Sequence, residues 1–185
     1  QACSYATFCR RLEKLIKEKT PTQIYTNLER IPGESLEVDF AGDSVTWIDR
    51  RGKKRTSRLF LATLTFSQKI YICAFENEKQ ISWMGGIVKA LEFFGGAPKT
   101  LIVDNAKSLV VTHGKDKIDY SPILQSLCNY YGISSFACRP GTPKGKNRVE
   151  NSVTHTYRRV LASLRLNGPI RAGNLEDLNQ QIAEH

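Results

Sequence analysis

The chain has 185 residues, 41% hydrophobic and 24% charged, and 27 Lys and Arg against 18 Asp and Glu give it a formal net charge of +9. That length suits one domain with flanking segments, and the ordinary charged fraction speaks against low-complexity disorder. No apolar run approaches the roughly 18 residues a membrane span needs, so a membrane is not an expected partner, and the N-terminal residues do not read as a signal peptide. Five cysteines (Cys3, Cys9, Cys73, Cys128, Cys138) form no C-x-x-C pair, and with only His113, His155 and His185 they build no zinc spacing. Free thiols in a reducing cytoplasm are the expectation. The basic balance points to a polyanion, of which nucleic acid is the commonest.

In chain order, residues 4–18 carry Tyr5, Phe8, Leu12, Leu15 and Ile16 at helical spacing, with Ser4 as a candidate N-cap and Lys and Arg on the other face. Residues 1–19 are thus a basic amphipathic helix, either the tail of an N-terminal helix-turn-helix or a helix docked on the core. Residues 20–34, with two prolines, a glycine and no periodicity, read as a linker. The stretches 35–48, 58–66 and 69–76 read as three strands, with the turn RRGKK between the first two, and short turns imply an antiparallel meander. Residues 81–94 read as a helix, weakened by Gly85 and Gly86 at about 1 kcal/mol each and closed by GGAPK. The apolar run TLIVDN (100–105) reads as a buried parallel strand. Residues 121–132 predict a helix with Pro122 in its first turn and Gly132 past its end, 133–138 a fifth strand, and 147–166 a long helix. Residues 174–185 start another helix, capped by Asn174 with two acids in its first turn. The expected class is α/β: a mixed five-stranded sheet flanked by helices, with the core at 35–166 and 167–185 the start of a truncated C-terminal segment. Gln1 and His185, the latter inside a helix-like pattern, predict a piece of a longer protein.

Three acids sit at costly positions. Asp39 lies between Val38 and Phe40 in the first strand, Asp104 ends the most apolar strand, and Glu150 lies near the start of the long helix beside Val149. Each has an ordinary reading by itself: a paired strand acid, a turn cap, and an i−4 partner for Lys146. Together, at the ends of neighbouring elements, three carboxylates repel one another unless cations neutralise them. Mg²⁺ or Mn²⁺ with oxygen ligands is the natural partner, and two such ions stabilise the attacking and leaving oxygens of a phosphoryl displacement.

The words VDFAG (38–42), FFGGAP (93–98), VDNAKS (103–108) and CRPGTPKGKNRVE (138–150) make the chain resemble the catalytic core of DDE transposases and retroviral integrases, most closely the IstA-type transposases of bacterial insertion sequences. The likeness runs from about Ser4 to Leu166, with Arg148 standing where family members often have Gly. It implies an RNase H-like fold and a catalytic, metal-binding triad of Asp39, Asp104 and Glu150, with 64 and 45 residues between them. It further implies two Mg²⁺ (or Mn²⁺) ions, water-driven cleavage at the element's 3′ end, and attack of the freed 3′-hydroxyl on target DNA. The partners implied are DNA (element ends and target), a homo-multimer pairing two ends, and an AAA+ ATPase helper, in the bacterial cytoplasm at the nucleoid.

Two clusters free of acids are expected to contact DNA: Arg50, Arg51, Lys53, Lys54, Arg55 and Arg58 on the first hairpin, and Arg139, Lys144, Lys146 and Arg148 ahead of Glu150. Arg158 extends the second along an i, i+4 stripe with Lys146, Glu150 and Thr154, beside an apolar face of Val149, Val153, Val160, Leu161 and Leu164. Tyr130, Tyr131, Trp47 and Trp83 read as packing residues. Rival readings are an RNase H-like nuclease without strand transfer and a non-catalytic DNA-binding or assembly module. A tyrosine recombinase, suggested by His155-x-x-Arg158, is excluded because no Tyr follows Tyr157.

Overall fold

The computed structural model describes residues 5, 7, 11, 30–103, 109–113, 118–137, 157–166 and 168–185. Its centre is a five-stranded sheet in the order β3-β2-β1-β4-β7. Strands β1 (Ser35–Ile48), β2 (Lys54–Leu64) and β3 (Ile70–Phe75) form the antiparallel meander expected from their short turns. Strand β4 (Thr100–Val103) pairs parallel to β1, from Ser35↔Thr100 to Val38↔Val103, and β7 (Ser134–Ala137) adds parallel to β4. A second sheet, β5 (Val110–His113) and β6 (Ile118–Tyr120), is an antiparallel hairpin that sequence reading passed over. Its strands are too short to carry a period.

Helices cover both faces. Helix α1 (Gln80–Phe94) and α2 (Pro122–Tyr131) close one face around Leu36, Val38, Phe60, Ile87, Leu101 and Leu124, all fully buried. Each such side chain contributes roughly 1.5–3 kcal/mol on leaving water. The other face is closed by α3 (helical at 157–164) and α4 (Leu175–Ala183), which bury Tyr157, Leu161, Leu178 and Ile182 against Val45, Trp47, Leu59 and Leu61. Residues from 168 onward therefore complete the second layer of the sheet: Ile48 N–H donates to Ile170 O, Ala172 N–H to Ile48 O, and Ile48 bridges Arg171.

Local chemistry explains the element ends. Ser121 accepts the Leu124 N–H with Pro122 in the first turn of α2, and Gly132 ends that helix at φ 68°. Asn174 accepts the Asp177 N–H to start α4. Gly86, a weak residue for helix α1, is required by packing: a methyl group there would lie 2.7 Å from the Phe60 ring. Phe40, Phe60 and Trp83 meet edge to face at that point. Trp47 and Trp83 are packing residues as expected. Tyr130 is not: it is 83% exposed, because α2 turns Leu124 and Cys128 inward and so aims position 130 at solvent, while Tyr131 packs partly against the core. Cys73 and Cys128 are free and buried. Among the described residues no helix is long and apolar enough to cross a membrane.

Candidate active site

Strand β1 is central and carries Asp39 opposite Leu61. Partners in register share a face, so Asp39 lies on the face covered by α3 and α4, yet it is exposed. Its Oδ1 accepts the Phe40 N–H at 2.8 Å, which orients the carboxylate. Immediately beyond, the β1–β2 register shifts: Ala41, Gly42 and Asp43 stand against Leu59 alone. Such a bulge bends a strand and re-aims its side chains, and bulges gather next to active sites. Arg58 braces this one from β2, donating to Ala41 O and Gly42 O while pairing with Glu78.

Among the described residues, the parallel ladder between β1 and β4 runs to Val38↔Val103, the residues immediately before Asp39 and position 104. Asp104 and Glu150 themselves lie outside the described residues, as do Arg139, Lys144, Lys146 and Arg148. Among the described residues no group of three His, Cys, Asp or Glu is placed to hold a metal. Asp39 alone of the triad can be tested for fit. It fits in kind: an exposed, oriented carboxylate on a rigid central strand is a hard oxygen donor suited to Mg²⁺.

The hairpin cations have different surroundings. Asp49 gathers the tip: its Oδ1 accepts the Arg51 and Lys53 N–H groups at 2.9 Å each, and its Oδ2 pairs with Arg55 at 2.9 Å. The Arg55 bond, seconded by these amides, holds the Asp49 carboxyl below its ordinary range. The guanidinium of Arg50 lies over Gly173, where even a methyl group would collide with it, and its charge also reaches Asp177. Arg51, Lys53 and Lys54 are exposed, and among the described residues their side chains form no ion pair. Arg158 is exposed on α3, in an open cleft of about 500 Å³ lined also by Asp43, Ser44, Ala162 and Arg165.

Sequence reasoning missed several residues here. Tyr157, buried on the sheet, donates from its hydroxyl to Asp43 Oδ2 at 3.1 Å across 114 positions of sequence. Glu78 as the partner of Arg58 and Arg165 as the second cation of the cleft were also unmarked. Only Arg165 left a signal, standing seven residues after Arg158 on the same helix face.

Residues 29–143 match the integrase core domain family, a span that includes Asp39 and Asp104 and stops seven residues before Glu150. A protein of Burkholderia multivorans named as a transposase of insertion sequence IS408 is 33% identical over 184 residues, covering 97% of this chain and 34% of its own length. The transposase of insertion sequence element IS21 from Pseudomonas aeruginosa is 24% identical over 168 residues, covering 91% of this chain and 41% of its own. The chain spans about a third of the length of the curated relatives it matches. Among solved structures, the HTLV-2 integrase catalytic core domain in complex with magnesium superposes with a TM-score of 0.55, at 16% identity, over 83% of both chains. That likeness shows the fold, the RNase H-like architecture of a five-stranded mixed sheet between helices. With that fold and that family match, the chain belongs to the integrase core domain family, as a relative of the transposases of bacterial insertion sequences.

Proposed function

We propose that this chain is the catalytic core of a DDE transposase that cleaves the 3′ ends of an insertion element and joins them to target DNA. The observation that carries the reading is the position of Asp39. It is exposed on the central strand, directly after Val38, which pairs with Val103 of β4; in sequence Asp104 directly follows Val103.

Asp39, Asp104 and Glu150 would hold two Mg²⁺ (or Mn²⁺) ions, which when bound polarise the scissile phosphate and supply a nucleophile from water or a 3′-hydroxyl. The chain's own residues do the rest. The Phe40 amide keeps the Asp39 carboxylate turned in one direction, and the Arg58 brace keeps the bulge beside it from relaxing. The hairpin cations, with Arg158 and the basic segment 139–148, neutralise DNA phosphates and so position the strand. From the resemblance we take the further partners: a homo-multimer pairing two element ends, an AAA+ ATPase helper, and the nucleoid of a bacterial cytoplasm. The domain scheme is likewise proposed, with residues 1–19 ending a DNA-reading helix-turn-helix and 20–34 linking it to the core.

The test is a strand-transfer assay with labelled element ends, target DNA and Mg²⁺. Wild type is expected to give both cleaved and joined product, and Asp39→Asn to lose at least a hundredfold of both while DNA affinity changes less than twofold. Cleavage without any joined product would favour a hydrolytic nuclease of the same fold. Full activity in Asp39→Asn would remove the site.

A further inference from the structure

The cleft between the β1 bulge and α3 has the chemistry of a phosphate clamp. Arg158 on α3 and Arg165 just past its last turn are both exposed, seven residues or about 10 Å apart along the axis. Ala162 between them is small and leaves the space open, and Ser44 supplies a hydroxyl from the opposite wall. Among the described residues neither arginine forms an ion pair. Asp43, the one acid among the cleft's described residues, accepts the Tyr157 hydroxyl. Two guanidinium forks about 10 Å apart can each take a separate DNA phosphate.

The cleft's place along β1 gives it a direction. Asp39 lies before the bulge, the cleft is at Asp43–Ser44, and the hairpin tip follows Asp49. Ten residues of strand at about 3.3 Å each span about 33 Å, roughly ten base-pair steps of duplex. At the far end the tip is held rigidly. Asp49 ties its backbone, and Arg50 seats it on Gly173 in the segment joining α3 to α4, on the same side of the sheet as the cleft. Two acids along the way are already engaged: Asp49 by Arg55, and Asp177, whose carboxylate accepts the Gly173 N–H and the Gln181 side-chain amide.

We infer that double-stranded DNA leaves the Asp39 end of β1, crosses the Arg158–Arg165 cleft and reaches Arg51 and Lys53 at the hairpin tip, about ten base pairs away. This rests on the proposed DNA-joining function and adds the path and two residues, Ser44 and Arg165, to it. The test measures affinity of the full chain for a 30-base-pair duplex as a function of KCl, by fluorescence anisotropy. Each phosphate contact removed lowers the slope of log affinity against log salt by about 0.9. Arg158→Ala with Arg165→Ala is therefore expected to lower it by about 1.8, Arg51→Ala with Lys53→Ala by about 1.8, and all four together by about 3.6. All these side chains are exposed, and matching thermal melts identify variants that remain folded. On an 8-base-pair duplex, too short to span the track, the four-residue loss should fall well short of that sum. An unchanged slope in the folded Arg158/Arg165 variant overturns the path, and so does a loss seen only with single-stranded DNA. Asp39→Asn separates the two claims: its slope should equal wild type, and its activity alone reports on the catalytic reading.

Discussion

Asp49 organises the hairpin tip with one carboxylate, accepting two backbone N–H groups and the Arg55 guanidinium. These donors favour the charged form, so its folded pKa lies below the ordinary value of 3.8. The stabilisation is therefore complete above about pH 4 and is lost as pH falls through the lower, folded pKa. Asp177 adds to the same trend, its pKa lowered first by the Gly173 N–H. We predict that Asp49→Asn melts at a lower temperature than wild type at pH 7, and that the gap closes as melts are taken from pH 5 down to pH 3. A gap of constant size across that range would mean that the carboxylate's charge does not hold the tip. At this scale Asp39 was legible, because an acid between Val38 and Phe40 is conspicuous in an apolar strand. The roles of Asp43 and Tyr157 were not, since their bond joins residues 114 apart and neither breaks a local rule.

Among the elements, β3 is an edge strand whose outer side is guarded by a side chain. Asn179 of α4 accepts the Ala74 N–H at 2.5 Å and donates to Ala74 O at 3.0 Å, so its amide stands where another strand's backbone would pair. Asn179→Ala is expected to cost about 1–3 kcal/mol for the two bonds, read as a lower urea midpoint, and to raise light scattering on warming as the edge is uncovered. An unchanged midpoint would show that α4 is held by Leu178 and Ile182 alone. The meander, α2 and the start of α4 were readable because their signals are local: alternation in the strands, Pro122 and Gly132 bounding a helix, Asn174 as a cap. The bulge after Asp39 was not, because Ala41, Gly42 and Asp43 suit a strand or a turn equally and only pairing with Leu59 decides between them. The β5–β6 hairpin escaped for the same reason of brevity.

Across the whole molecule, the sheet is enclosed by α1 and α2 on one side and by α3 and α4 on the other, and the proposed chemistry lies where the second layer leaves β1 exposed. Covering that layer takes residues 170–182, which were read from sequence as the start of a further segment; Ile170, Ala172, Leu178 and Ile182 have helical and strand partners too distant in sequence to be anticipated. The order of elements, by contrast, foretold the parallel β1–β4 pair. The central claim is the proposal that Asp39, with Asp104 and Glu150, serves metal-dependent DNA chemistry. The most direct measurement is an anomalous difference map from crystals of the full chain bound to duplex DNA and soaked in Mn²⁺. The account predicts a Mn²⁺ peak within about 2.5 Å of an Asp39 oxygen, shared with Asp104 and Glu150. A well-ordered Asp39 carboxylate with DNA in place and no peak beside it would contradict the account.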